Sequence, residues 1–189
     1  MIERLWAGWR SSYVNGEDDG PTPAGSTSTN AAAHGGAAET SGASDDGKSL
    51  FERILTCGLP DEQTYVLWRG HRCAALLNAF PYTSGHLMVL PQRAVADLDQ
   101  LERDELTELW TGVEQAVLAV RAAYQPGGIN VGANLGLAAG AGVPDHLHIH
   151  VLPRWEGDTN FMTTVAETRV MPEPLDVSWR KLTAAWPPA

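Results

Sequence analysis

Thiols, basic side chains and long apolar runs are all scarce in this chain, and each scarcity removes a class of function. Cys57 and Cys73 are the only cysteines and they do not form a CxxC pair, so neither a disulfide framework nor a thiol-rich zinc site is expected. Lys and Arg number 13 against 23 Asp and Glu, for a formal net charge of −10 at pH 7. Affinity for long DNA or RNA comes from Lys and Arg neutralising many phosphates, so a long nucleic acid is not an expected partner. A small polyanion is still allowed, because backbone N–H groups, imidazoles and one or two arginines can hold phosphate locally. No stretch approaches the roughly 20 apolar residues of a membrane-spanning helix, and Met1-Ile2-Glu3-Arg4-Leu5 does not begin a secretory signal. The expectation is a cytoplasmic protein without a membrane partner.

One region lacks large apolar side chains altogether. Residues 15–48 contain no Val, Ile, Leu, Met, Phe, Trp or Tyr, so nothing there can offset the entropy of ordering, and a flexible low-complexity insertion is expected. It separates residues 1–14, whose Leu5, Trp6, Trp9 and Tyr13 should dock back onto the protein, from a single domain over 49–189.

What is present in that domain reads as α+β. Thr64-Tyr65-Val66-Leu67-Trp68 and Cys73-Ala74-Ala75-Leu76-Leu77 flank a turn at Gly70 and predict two strands. His86-Leu87-Met88-Val89-Leu90, ending at Pro91, predicts a third. Leu106, Leu109, Trp110, Val113, Val117 and Val120 recur at spacings of three and four, which predicts one long helix. Acidic Glu102, Asp104 and Glu105 sit at its start, where the helix dipole favours them. Ile129 to Leu135 and His146 to Leu152 predict two further strands joined by a glycine-rich loop, and Leu175, Trp179, Leu182 and Trp186 a short closing helix. Few helices among mostly adjacent strands imply an antiparallel sheet of about five strands.

Three of the six histidines fall within five residues, in Asp145-His146-Leu147-His148-Ile149-His150-Val151-Leu152-Pro153-Arg154. On an extended backbone, side chains alternate between faces. His146, His148 and His150 then share one surface while Leu147, Ile149 and Val151 enter the core. Such a surface can bind zinc with an open position for water. It can also be a merely solvated strand face. In a third reading the central imidazole attacks phosphorus while its neighbours orient it and donate to phosphate oxygens.

The pattern His-Leu-His-Ile-His-Val-Leu-Pro-Arg resembles the signature of the histidine triad (HIT) superfamily. Leu76-Leu77-Asn78-Ala79-Phe80-Pro81-Tyr82-Thr83-Ser84-Gly85-His86-Leu87-Met88-Val89 is similar to the same family's strand, turn and Gly-His element. Asn130-Val131-Gly132-Ala133-Asn134-Leu135-Gly136 and Trp155-Glu156-Gly157-Asp158 resemble its bacterial dinucleoside polyphosphate hydrolases and phosphorylases. The resemblance implies a HIT-like fold, a homodimer and cleavage of the α-phosphoanhydride of a dinucleoside polyphosphate such as diadenosine tetraphosphate. His148 would become nucleotidylated, while His146 and His150 would contact the phosphates or assist the leaving group. Asn78 would bind ribose, His86 would support the triad, Asn134 would face the phosphates, and Leu76 and Met88 would lie against the base. Trp155 offers a flat surface for adenine or for core packing. The less favoured readings are that Asn78 caps the turn before Pro81 and that His86 is a polar strand start; Gly140 and Gly142 can cradle phosphate or simply turn the chain, and their position beside the histidine strand favours the cradle.

One departure from the family pattern bears on cofactors. Where many members carry a CxxC that contributes to a structural zinc site, this chain has Ser49 and Glu52. No metal and no other cofactor is therefore expected. Gly142 supplies no hydroxyl for a dedicated phosphate acceptor, so water is the expected acceptor and phosphorolysis the alternative, along with a nucleotide-binding module without turnover.

Overall fold

The computed structural model describes residues 47–158 and 172–188, all within one compact unit of the chain. The expectations for residues 1–14 and for 15–46 of the insertion lie outside the described residues.

Among the described residues, two short helices that the periodicity does not announce come first. Helix α1, Leu50–Thr56, starts from a capping box in which Ser49 accepts from the Glu52 N–H while the Glu52 carboxylate accepts from the Ser49 N–H. Helix α2, Asp61–Thr64, ends at Tyr65 in the left-handed region, φ 56°. The first strand therefore begins at Val66 rather than Thr64. Strands β1 (Val66–Arg69), β2 (Cys73–Leu77), β3 (Leu87–Pro91), β4 (Gly128–Ala133) and β5 (Ile149–Arg154) form an antiparallel sheet in the order β1-β2-β3-β5-β4. The long helix α3 spans Arg103–Tyr124 and the closing helix α4 spans Leu175–Ala185. The α+β architecture with one long and one short C-terminal helix is thus the observed one. Among the described residues no helix is long and apolar enough to cross a membrane.

The alternation of side chains gives the sheet two different faces. Ala75, Leu77, Leu87, Val89, Ile149 and Val151 point to one side and pack beneath α3 through Leu109, Val113, Ala116 and Val120, forming the main core. Trp110, expected on that stripe, is 48% exposed. Small residues take the close approach instead, and a Cβ on Gly112 would lie 3.0 Å from both Trp68 and Val89. Helix α4 closes the β1 edge, where Trp179 Nε1 donates to the Val66 carbonyl at 2.8 Å. On the opposite face the register runs Val66, Leu76, Met88, His150, Gly132 across the strands. Helix α1 covers the first three with Phe51, Ile54 and Leu55 and leaves the histidines at its margin.

The strand expected from His146 begins three residues later. The His146 and Leu147 N–H groups donate to Val143 and Val95 instead of joining a ladder. The side-chain alternation persists regardless, with Leu147, Ile149 and Val151 in the core and the three imidazoles on the other side.

Candidate functional site

Four histidines gather where β3 and β5 meet the end of α1. The His148 and His150 rings lie 4.9 Å apart and those of His86 and His150 5.0 Å apart. Phe51 packs edge-on against His146 at 5.2 Å and His148 at 5.3 Å. All four are buried, from 0% exposed at His146 to 8% at His150.

The hydrogen bonds fix which nitrogen carries each proton. His146 Nε2 lies 2.8 Å from the Pro91 carbonyl, which can only accept, so Nε2 bears the hydrogen. Nδ1 of the same ring is then an acceptor, and the Ser49 hydroxyl donates to it at 2.6 Å. Both nitrogens of His146 are engaged within the protein, so the expected contact between its ring and phosphate is not available in this arrangement. His148 Nδ1 donates to the His146 carbonyl at 2.8 Å, which leaves the lone pair on Nε2. The group that orients His148 is thus the backbone carbonyl two residues back. A second chain runs from the loop between β2 and β3. The Tyr82 N–H donates to His86 Nδ1 at 3.2 Å, so His86 Nε2–H donates to His150 Nδ1 at 2.9 Å, and His150 is left with a hydrogen on Nε2.

Burial holds these rings neutral, because a charged imidazole loses its hydration there. His86 is pushed down to about 3, chiefly by burial and then by the neighbouring His150 and His148. His150 falls to about 4 through burial and then His148. Burial likewise lowers His148 and His146. The central imidazole is therefore a free base at neutral pH, and its flanking partner is a neutral donor.

The remaining expected residues are brought together unevenly. Asn78 accepts from the Phe80 N–H at 2.9 Å through its side-chain oxygen, so it caps the turn, while its amide lies 3.4 Å from His86 Nε2. Leu76 and Met88 are 2% and 5% exposed inside the α1-covered cluster; the surface expected to meet a base is filled by Phe51 and its neighbours. Asn134 donates to the Gly140 carbonyl at 3.4 Å. Gly140 has φ +85°, and the N–H groups of Gly140 and Ala141 donate to Leu137 and Gly136. Those two amides serve the turn rather than a phosphate cradle. Gly142 stands in the same loop with nothing within 4 Å of an added Cβ. Trp155 lies past the end of β5 and meets Tyr124 of α3 edge-on at 6.3 Å, the packing role its ring also allowed.

Sequence reasoning missed Ser49, Phe51 and Tyr82 as neighbours of the histidines. For Ser49 the signal is the Ser-x-x-Glu spacing of a capping box at Ser49 and Glu52. A structural zinc does not fit these residues. The Ser49 hydroxyl is taken by His146 and the Glu52 N–H, and the Glu52 carboxylate accepts from the Ser49 and Ala94 N–H groups. A zinc bound by three imidazoles requires three converging lone pairs, and His146 has none left. Among the described residues no group of three or more His, Cys, Asp or Glu is placed to hold a metal.

A family model described as the HIT domain matches residues 60–157. Over 128 residues the chain is 42% identical to the AP-4-A phosphorylase of Mycobacterium tuberculosis, covering 68% of this chain and 66% of the relative; the chain thus spans just under two thirds of that relative's length. It is 38% identical over 93 residues to the asymmetrical bis(5'-nucleosyl)-tetraphosphatase of Schizosaccharomyces pombe, which covers 49% of this chain and 50% of the relative. Among solved structures, a zinc-bound histidine triad family protein from Mycobacterium smegmatis matches with a TM-score of 0.58 and 25% identity, over 72% of this chain and 91% of that one.

Proposed function

We propose, from the premise that this chain belongs to the HIT domain family, that it cleaves dinucleoside polyphosphates such as diadenosine tetraphosphate by way of a nucleotidyl-histidine, with phosphate as the final acceptor. The observation that carries the reading is the state of His148. Its Nδ1–H is held by the His146 carbonyl and burial keeps the ring neutral, so the Nε2 lone pair is ready for attack without prior deprotonation. In the first step Nε2 bonds to the α-phosphorus and the bond to the bridging oxygen breaks. The electron pair leaves with the nucleoside triphosphate, and His150 Nε2–H donates to the departing oxygen. In the second step a phosphate oxygen bonds to the same phosphorus, the P–N bond returns its electrons to His148, and nucleoside diphosphate is released. Splitting one displacement into two lets the fixed donors offset charge repulsion in each.

Phosphate replaces water as the favoured acceptor because the 42% identical relative is an AP-4-A phosphorylase, although a hydrolase shares the same motif region. Asn134, which lines one cleft with His150, and Gly142, in the loop that leads into the histidine strand, are the residues we assign to face the polyphosphate, and Asn78 the one assigned to the ribose. Homodimerisation, to be checked by light scattering, and a cytoplasmic location belong to the same reading. Chromatography of products from diadenosine tetraphosphate, with and without added phosphate, tests the reaction. Adenosine diphosphate and adenosine triphosphate in equal amounts, formed only with phosphate, is the expected result. Adenosine monophosphate formed without phosphate would return the assignment to hydrolysis. His148→Ala should cost about 5 kcal/mol in barrier, nearly four powers of ten in rate, and near wild-type turnover in that variant would exclude the covalent route.

A further inference from the structure

The ladder between β4 and β5 sets Gly132 directly opposite His150 and Asn130 opposite Leu152, all on the histidine face of the sheet. Gly132 has no left-handed φ, and a Cβ there would meet nothing within 4 Å. Neither backbone conformation nor packing requires a glycine at this position. Its missing side chain instead opens a hollow beside the imidazole that faces the departing oxygen. That hollow is part of a cleft of about 230 Å³ lined by Tyr82, His150, Leu152 and residues 130–134.

Three features of the cleft point to its occupant. In a chain of net charge −10, no carboxylate among the described residues lines it, so an anionic chain meets no like charge from them. Arg154 Nη1 donates to the Asn130 side-chain oxygen at 2.7 Å, which orients that amide and leaves its NH2 as the polar group offered to a ligand. At the mouth, Tyr82 is 58% exposed, yet its loop is held by its own N–H to His86 and by Thr83 to the Pro153 carbonyl. Its ring lies 6.2 Å from that of His150. An anchored, solvent-facing aromatic ring beside a cleft that mixes apolar side chains with the Asn130, Asn134 and His150 polar groups suits a flat heterocycle. The volume is below the roughly 300–1,000 Å³ of a complete small-molecule site, so the cleft is sized for part of a dinucleotide.

We infer that this cleft is the subsite for the leaving half of the substrate, a nucleoside polyphosphate whose phosphates pass over Gly132 and whose base lies against Tyr82. The inference rests on the proposed phosphorolysis and adds to it the recognition of the second nucleoside. Dinucleoside and mononucleoside polyphosphates are thereby told apart by a contact remote from the reacting phosphorus.

The test compares diadenosine tetraphosphate with adenosine 5'-tetraphosphate, which lacks the second nucleoside, using the full chain in kcat/KM and in titration calorimetry. The wild type should favour the dinucleotide by about tenfold, the scale of base–aromatic stacking. Tyr82→Ala should bring the ratio to within about twofold, while Tyr82→Phe, which keeps the ring, retains it. Gly132→Val should keep the wild-type unfolding temperature and bind both nucleotides at least tenfold more weakly. A wild-type ratio near one, or a ratio that survives Tyr82→Ala, overturns the cleft assignment while leaving phosphorolysis standing. Absence of turnover with either nucleotide overturns the catalytic reading instead; the calorimetric ratio then decides the cleft by the same criterion, and binding of neither overturns both.

Discussion

His146 and His148 share a motif but have different tasks, and the difference lies in what the second ring nitrogen touches. His148 keeps one lone pair uncommitted, whereas His146 is held at both ends by Ser49 and the Pro91 carbonyl. Because the His146 carbonyl is the group that orients His148, anchoring the His146 ring also anchors the nucleophile. Ser49 therefore has two duties, as N-cap of α1 and as donor to a buried imidazole. Ser49→Ala removes both. The lost cap costs about 1 kcal/mol, and the unmatched acceptor on His146 adds about 1–3 kcal/mol. We expect lower stability together with a fall in kcat and little change in KM, while Ser49→Thr, which keeps the hydroxyl, restores the rate. Denaturant unfolding and steady-state kinetics on the two variants check this; an unaltered kcat in Ser49→Ala would reduce the residue to a helix cap.

At the scale of elements, legibility in the sequence followed length. β2 and β3 are unbroken apolar runs between turn residues, α3 and α4 carry enough residues for a period of 3.6 to repeat, and each lies close to its expected bounds. Helices α1 and α2 have seven and four residues, too few for a helical period to emerge. The cover that Phe51 of α1 gives Leu76 and Met88 is illegible for the same reason. The triad was legible because alternation depends on extended backbone, which continues upstream of the formal start of β5. Proton placement was not legible, since it depends on Ser49, Pro91 and Tyr82, all distant in sequence. The loop that carries Tyr82 to His86 turns on Gly85, at φ +77°, where an added Cβ would lie 2.5 Å from the Tyr124 ring. That ring is pinned by its hydroxyl to Glu173 and has little room to yield. Gly58 has φ +76° with nothing within 4 Å, so it isolates the backbone cost of about 1–2 kcal/mol. In urea unfolding Gly85→Ala should lose clearly more stability than Gly58→Ala and should also weaken activity through displacement of His86. Equal losses would show that Tyr124 does not constrain the loop.

For the whole molecule, acidification brings two effects of opposite sign. The formal net charge is −10 and the sequence pI about 4.9, so lowering the pH from neutral relieves self-repulsion and favours the compact state. The buried imidazoles oppose this. Unfolded, each titrates near 6.5. Folded, His150 does not take a proton until about 4 and His86 until about 3, with His146 and His148 also lowered. Between those limits the unfolded chain binds more protons than the folded one, so stability falls as pH drops below 6.5. Glu52, Glu105 and Glu173, all held below the ordinary 4.5, act with the same sign but only below that pH. The interval from 6.5 to 4.5 therefore isolates the histidines. At about 1.4 kcal/mol per pKa unit, two rings displaced this far outweigh the relief of dispersed surface charge. The unfolding temperature should drop by at least about 5 °C across the interval, and replacing His86 and His150 together with glutamine should flatten the slope. A slope between pH 6.5 and 4.5 that is the same in the wild type and in the double glutamine variant would mean that these rings accept protons in the folded state as readily as in the unfolded one, and the neutral cluster that attack by His148 on phosphorus requires would be lost.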